Sequence, residues 1–275
     1  MLACACMGRN EVKMIFDTHA HYDDEAFDLD REEVLKNLKC EGVAKVVNIG
    51  ANLESSKTSI ALAKKFDTVY AAVGVHPDYA KELNENNFQV LCEMAREEKV
   101  VAIGEIGLDY YWDATDRELQ KFWFRKQLHL AIKENLPVVI HSRDAAADTL
   151  EMMKEGAAYA KEQNRTLSGI IHCFSYGTEI ADYYLKHGFY LGIGGVVTFK
   201  NGRKLKEVVQ MAPLSSLVLE TDCPYLAPVP YRGKRNYSGY LSYVAEEIAL
   251  LKKVSVEEVI RQAAENARKV YQLQQ

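Results

Sequence analysis

The sequence is defined first by what it has little of. Its 275 residues include six cysteines, and no two form a CxxC pair. That argues against a zinc ribbon or a thioredoxin-like redox motif. No apolar run approaches the roughly 18 residues of a membrane span, so no membrane partner is expected. Leu2-Ala3-Cys4 has no basic segment and apolar stretch before it, so it does not read as an export or lipoprotein signal. Cys40, Cys92, Cys173 and Cys223 sit in apolar or helical contexts, as reduced thiols would. The expected compartment is therefore the cytoplasm. Positive charge is also short: 34 Lys and Arg stand against 39 Asp and Glu, a net charge of −5. A protein that coats nucleic acid through many phosphate contacts is excluded, whereas a local basic patch is not. Proline is scarce, and no Pro/Gly/Ser-rich linker divides the chain. No Gly-rich phosphate turn follows an early strand. Gly192-Ile193-Gly194-Gly195 comes late and lacks the third spaced glycine, which weighs against an open doubly wound sheet.

What is present is a repeat of short apolar runs rich in Val and Ile. They fall at 14–16, 45–49, 69–75, 100–103, 137–140, 169–171, 189–193 and 217–219. Their starts are roughly 20–37 residues apart, about one strand–helix unit. Continuous rather than alternating apolar runs suit parallel strands covered on both faces. Helical stripes lie between them. Val34, Leu35 and Leu38 share one face of 31–39, and Leu119, Trp123, Leu128 and Ile132 share one face of 116–135. Met152-Met153 and Phe122-Trp123-Phe124 read as helix core. The tail reads as a helix pair at 239–253 and 256–271, the second opened by a capping box from Ser255 to Glu258. Eight such units predict an α/β fold, a closed (β/α)8 TIM barrel in a single domain over 14–275. Residues 1–13 are expected to be an N-terminal extension outside that fold.

The first run leads into Asp17-Thr18-His19-Ala20-His21. Histidines at i and i+2 on an extended chain point to one side, so both can reach one ion. Glu105 follows the fourth run, His141 ends the fifth, His172 the sixth, and Asp222 follows the eighth. All are expected at the C-terminal ends of strands, where barrel enzymes build their sites. Imidazole with carboxylate suits a divalent ion such as Mg, Mn or Zn, and no thiolate is placed to select a soft one. Two clusters can be assembled for two divalent metal ions. His19, His21 and Asp222 come from the neighbouring strands one and eight, and His141 and His172 from strands five and six. Glu105, with two oxygens, is placed to bridge them. Such a pair supports hydrolysis, with Asp222 holding the attacking water and accepting its proton.

Together with Gly74-Val75-His76-Pro77, Gly104-Glu105-Ile106-Gly107-Leu108-Asp109-Tyr110, His141-Ser142-Arg143, His172-Cys173-Phe174-Ser175, Gly194-Gly195-Val196-Val197-Thr198-Phe199-Lys200, Glu220-Thr221-Asp222-Cys223-Pro224-Tyr225-Leu226-Ala227-Pro228 and Arg232-Gly233-Lys234-Arg235-Asn236, these residues form a specific signature. From Met14 to about Tyr271 the chain resembles the TatD family of metal-dependent deoxyribonucleases, within the wider amidohydrolase-like barrels. The resemblance implies metal-dependent phosphodiester hydrolysis, typically from the 3′ end of DNA, with RNA sometimes accepted. It implies the same six metal positions. Two departures lie near the expected barrel mouth and bear on substrate preference. Tyr176 stands where the family often has Gly after His-Cys-Phe-Ser. Tyr237-Ser238 stands where it often has Glu-Pro.

Several neighbours read as substrate contacts. His76 is expected to donate to a substrate phosphate or to act as an acid near the leaving group, alongside Asp222 and Glu105. Arg143 has the geometry for bidentate phosphate pairing. Arg232, Lys234 and Arg235 form the densest basic cluster, in a loop after strand eight. Tyr110, Tyr111 and Trp112 fit either base stacking or a packed loop cap. The leading expectation is thus a DNase with 3′–5′ exonuclease activity on single strands or 3′ ends, without an obligate protein partner. The alternative keeps the metals and changes the substrate to a small metabolite: a lactone, cyclic amide or phosphoester. A non-catalytic scaffold would have to retain six metal-type residues without chemistry.

Overall fold

Val- and Ile-rich segments favour extended backbone, because branching at Cβ crowds a helix and packs well on a pleated face. In the computed structural model, which describes residues 14–112 and 115–273, each apolar run forms a strand. In chain order these are β1 Ile15–Ala20, β2 Val43–Ile49, β3 Val69–Val73, β4 Val100–Asp109, β5 Val138–Arg143, β6 Gly169–Ile171, β7 Tyr190–Ile193 and β8 Leu217–Leu219. They pair parallel in that same order. The ring closes where Ala20 bridges Cys223, through His21 N–H to the Cys223 carbonyl (2.8 Å) and Asp222 N–H to the His19 carbonyl (2.9 Å). The fold is the expected (β/α)8 barrel. The expected extension, residues 1–13, lies outside the described residues.

Helices α1 Arg31–Asn37, α2 Leu53–Lys65, α3 Glu85–Met94, α4 Arg117–Glu134, α5 Ala146–Glu162, α6 Thr178–Lys186, α7 Arg203–Met211, α8 Leu241–Lys252 and α9 Val256–Val270 surround the strands. Side-chain caps set several starts. Asn52 accepts from Ser55 N at α2, Asp116 from Glu118 N and Leu119 N at α4, and Ser255 from Glu258 N at α9, each satisfying N–H groups the helix leaves unpaired. Trp123, Phe124, Met152 and Met153 are buried as expected, but Phe122 is 44% exposed, because position 122 falls on the outer face of α4. Inside the barrel, Phe16, Val47, Val139, Ile170 and Val218 pack with Ala264, Ala267, Val270 and Tyr271 around α9. Asn266 of α9 donates to the carbonyls of Leu214 and Leu217, at the N-terminal end of β8. α9 therefore plugs the barrel end opposite the strand C-termini. No helix among the described residues is long and apolar enough to cross a membrane.

Two register shifts prepare the other end. Between β4 and β5, Ile103 pairs with Val138 and Ile106 with Ile140, so one extra residue is inserted beside Glu105. Between β1 and β2, Asp17 pairs with Val46 and Ala20 with Asn48, which inserts one beside His19. Bulges of this kind re-aim side chains at barrel rims. The apolar run at 100–103 understates β4, which continues to Asp109. Gly104, Glu105 and Gly107 interrupt its hydrophobicity, and after the bulge at 104–105 its pairing with β5 resumes from Ile106 to Asp109.

Candidate metal centre

Four side chains from β1, β4 and the end of β8 converge first. His19 Nε2 lies 3.1 Å from His21 Nε2, 3.5 Å from Glu105 Oε2 and 3.7 Å from Asp222 Oδ1. His21 Nε2 lies 3.4 Å from Asp222 Oδ1 and 3.8 Å from Glu105 Oε2. Donors bound about 2.0–2.2 Å from one ion sit about 3–3.5 Å from each other, so these spacings are close to the edges of one coordination polyhedron. Asp222 reaches the cluster from a left-handed backbone, φ 55°, an unfavourable conformation for a side-chain-bearing residue.

The other oxygen of Glu105 faces a second group. Oε1 is 2.8 Å from His141 Nδ1, 3.8 Å from His172 Nε2 and 3.9 Å from His76 Nε2. The structure therefore brings all six expected metal positions together, with the two oxygens of Glu105 divided between two sets. His172 also approaches the first set. Its ring stacks on His19 at 3.5 Å between centroids, and its Nε2 is 3.7 Å from Asp222 Oδ1.

Two outward ring nitrogens are hydrogen-bonded, while His19 Nδ1 and His172 Nδ1 are buried without a hydrogen-bond partner among the described residues. His21 Nδ1 donates to the Ile49 carbonyl (3.0 Å), and His141 Nε2 lies 2.9 Å from Asp109 Oδ2. His172 Nδ1 lies 3.2 Å from Glu220 Oε1. At His21 and His141 a proton held on the outward nitrogen leaves the inward lone pair free for a cation, the usual way in which metal-binding imidazoles are oriented. Asp109 and Glu220 were not among the expected site residues. For Asp109 a signal existed: on one extended strand, Glu105, Gly107 and Asp109 share a face. Gly107 is required between them. Its φ is +150°, and a Cβ there would sit 1.9 Å from the His141 carbonyl oxygen. Gly192 similarly leaves room for the Glu220 carboxylate, which a Cβ would meet at 2.0 Å.

Behind the centre, the buried Asp17 carboxylate accepts from Thr221 N (3.0 Å), Thr221 Oγ1 (2.6 Å), Ser238 Oγ (2.7 Å) and His19 N (3.2 Å). It ties together the ends of the strands that carry His19 and Asp222. Burial pushes its carboxyl up to about 6, against the pull of those donors.

The centre attracts positive charge. Burial opposes a proton on His21, His141 and His172, but the carboxylates outweigh it and raise them to about 10, 9 and 9. Burial also opposes ionisation of Glu105 and Asp222, yet the surrounding imidazoles hold both below the usual carboxylate range. A divalent cation supplies the same charge and would release those protons on binding. His19 and His76 differ: burial, reinforced by His172, lowers His19, and burial, reinforced by His141, lowers His76 to about 3.

The centre opens into a cavity of about 620 Å³, whose walls include His76, Trp112, Arg143 and Tyr225. Arg143 stacks over the Tyr111 ring at 3.8 Å, and among the described residues no carboxylate pairs with it. Arg232, Lys234 and Arg235 are not on these walls. Arg232 lies over Phe199 at 4.4 Å. Arg235 donates to Asp30 at 2.7 and 2.6 Å and to the Ala26 carbonyl at 2.7 Å. Lys234 and Arg235 line an adjoining groove that shares Asp24 and Tyr225 with the cavity.

Comparison with known proteins agrees with this architecture. The family model described as TatD related DNase matches residues 16–272. The chain is 44% identical to the uncharacterised metal-dependent hydrolase YabD of Bacillus subtilis, across 94% of this chain and 100% of that one. It is 31% identical to a protein of Erwinia tasmaniensis named 3′-5′ ssDNA/RNA exonuclease TatD, again across 94% and 100%. The crystal structure of YjjV, a TatD homologue from Escherichia coli, superposes with a TM-score of 0.85 at 28% identity, covering 96% of this chain and 100% of that one. A family match spanning all eight strands leaves one conclusion: the chain belongs to the TatD family of metal-dependent hydrolases.

Proposed function

We propose that this chain is a two-metal phosphodiesterase that removes nucleotides from the 3′ end of DNA and accepts RNA as well. The observation that carries the reading is the division of Glu105, whose Oε2 faces His19 and His21 while its Oε1 faces His141 and His172. In this assignment His19, His21 and Asp222 would hold one ion and His141 and His172 the other, with Glu105 within reach of both. Two such ions supply Lewis acidity at the phosphate and lower the pKa of attacking water.

The remaining roles belong to the protein. Asp222 is placed to orient the water and take its proton. His76 Nδ1 accepts from Asp78 N (3.2 Å), so in the neutral ring the proton sits on Nε2, which points towards Glu105. With its pKa lowered to about 3, His76 serves better as a neutral donor to a phosphate oxygen than as a protonated acid. Arg143 supplies the cation on the cavity wall. A strand long enough to pass Tyr225 would meet Lys234 in the adjoining groove, with Arg232 on the same loop, while Arg235 is engaged by Asp30. The relative from Erwinia tasmaniensis, named as a 3′-5′ ssDNA/RNA exonuclease, points to the same substrate class.

The test uses protein stripped with chelator and then given Mg²⁺, Mn²⁺ or Zn²⁺ singly. A labelled single strand should be shortened from its 3′ end only with metal, and Asp222→Asn should lower kcat on the order of 10²- to 10⁴-fold. Turnover of lactones, cyclic amides or small phosphoesters with no oligonucleotide cleavage would instead favour the small-metabolite reading.

A further inference from the structure

The mouth of the cavity carries aromatic rings that the metal chemistry does not use. Trp112 is 61% exposed, Tyr225 53% and Tyr79 40%, and all three line the cavity that holds the histidines. Large exposed aromatics on the wall of a polar cavity call for an explanation, since solvent exposure of such surface is unfavourable. Tyr110, their neighbour in sequence, behaves differently. Its hydroxyl donates to Asp148 at 2.6 Å and its ring lies against Arg117 at 4.1 Å, so it is the packed member of the Tyr110-Tyr111-Trp112 run.

The two most exposed cavity rings come from loops after different strands. Trp112 follows β4 and Tyr225 follows β8. Those strands lie four steps apart in the eight-strand ring. Both rings are held in place. Trp112 meets the Tyr111 ring edge-on at 4.8 Å, and the Arg143 guanidinium lies 5.5 Å from the Trp112 ring. The Tyr225 hydroxyl donates to Asp24 Oδ2 at 2.8 Å. His21, Glu105, His141, His172 and Asp222 line the same cavity.

We propose that Trp112 and Tyr225 are stacking platforms for the unpaired nucleobases of a strand whose phosphate reaches the metal cluster. This rests on the phosphodiesterase reading for its substrate class. Base–ring stacking tolerates any sequence, because every base has a π face. Bases held in a duplex keep theirs stacked and paired, and have no face to offer. Arg143 joins the two functions, since its guanidinium packs on the Tyr111–Trp112 pair while remaining available to a phosphate.

The experiment measures binding and cleavage separately, with a short single-stranded deoxyoligonucleotide and the same strand carrying abasic sugars. Binding is read by anisotropy on Asp222→Asn protein, with and without added Trp112→Leu or Tyr225→Leu, and cleavage on the wild-type background. The abasic strand should bind roughly tenfold more weakly, and each Leu variant should weaken the base-bearing strand by roughly tenfold while leaving the abasic one unchanged. Base-dependent binding without cleavage would support the platforms and remove the nuclease reading. Cleavage with equal affinity for both strands, or Leu variants that weaken both strands alike, would overturn the platforms and leave the nuclease reading standing. No measurable binding of either strand would overturn the platforms.

Discussion

Asp109 Oδ2 lies 2.9 Å from His141 Nε2, on the side of the ring away from Glu105, whose Oε1 is 2.8 Å from Nδ1. A neutral imidazole has one proton for these two contacts. Asp109, which also accepts from Tyr111 N and Trp112 N, fixes it on Nε2 and leaves the Nδ1 lone pair facing the centre. Asp109→Asn keeps the size of the side chain and allows its amide to donate to Nε2, which favours the wrong tautomer. The variant should bind divalent metal about 10- to 100-fold more weakly with little change in melting temperature. Calorimetric titration with Mn²⁺ reads this directly, and wild-type affinity in the variant would remove Asp109 from the centre.

Arg235 is tied into the fold more strongly than into the cavity. Its guanidinium pairs with Asp30, donates to the Ala26 carbonyl and covers the buried Phe27 ring at 4.6 Å. A partly exposed ion pair contributes about 0.2–1 kcal/mol, and the carbonyl contact and ring packing add to it. Arg235→Ala should therefore lower stability by about 1 kcal/mol or somewhat more. Asp30→Ala should cost less, and the double variant less than the sum. Urea unfolding of the four proteins closes this cycle. A raised KM for oligonucleotide with unchanged stability would return Arg235 to the phosphate contacts.

The strand count and the convergence of six polar side chains were legible in the sequence, because parallel strands announce themselves as apolar runs and barrel sites sit where those runs end. Glu105 could be placed for that reason. Asp109 shares the face of Glu105 only if the strand continues past the end of the apolar run at Ile103, and it is the backbone pairing of β4 that carries the strand four residues beyond Glu105. Arg143 and Arg235 looked equivalent as cations near the mouth. What separates them is the position of Asp30, some 200 residues away in the chain, which no local pattern reports. The Tyr110-Tyr111-Trp112 run was ambiguous for the same reason: Asp148 and Arg117 hold the first ring, and their proximity is a property of the folded chain. Asp17 was visible only as part of a motif, since its donors Thr221 and Ser238 arrive from the other side of the barrel closure.

That closure leads to a pH effect. The Asp17 carboxyl is raised to about 6 from 3.8, mainly by complete burial, with the hydrogen bonds from Thr221, Ser238 and the His19 backbone pulling the other way. A folded-state value above the unfolded one means that the folded protein binds this proton more tightly. The associated stability is present in full below about pH 4 and is lost as pH rises through about 6. A shift of this size corresponds to about 3 kcal/mol. Asp17→Asn has no proton to lose, so the variant should be destabilised relative to wild type most at low pH, with the gap narrowing by up to that amount between pH 4 and 7. Urea unfolding of both proteins in chelator, at several pH values, isolates the group, because the other titrating residues are common to both. Parallel stability curves would mean that the four donors hold Asp17 ionised throughout. In that case Asp17 would join His19 to Thr221 as a permanent buried anion, and the Asn variant should lose the same stability at every pH.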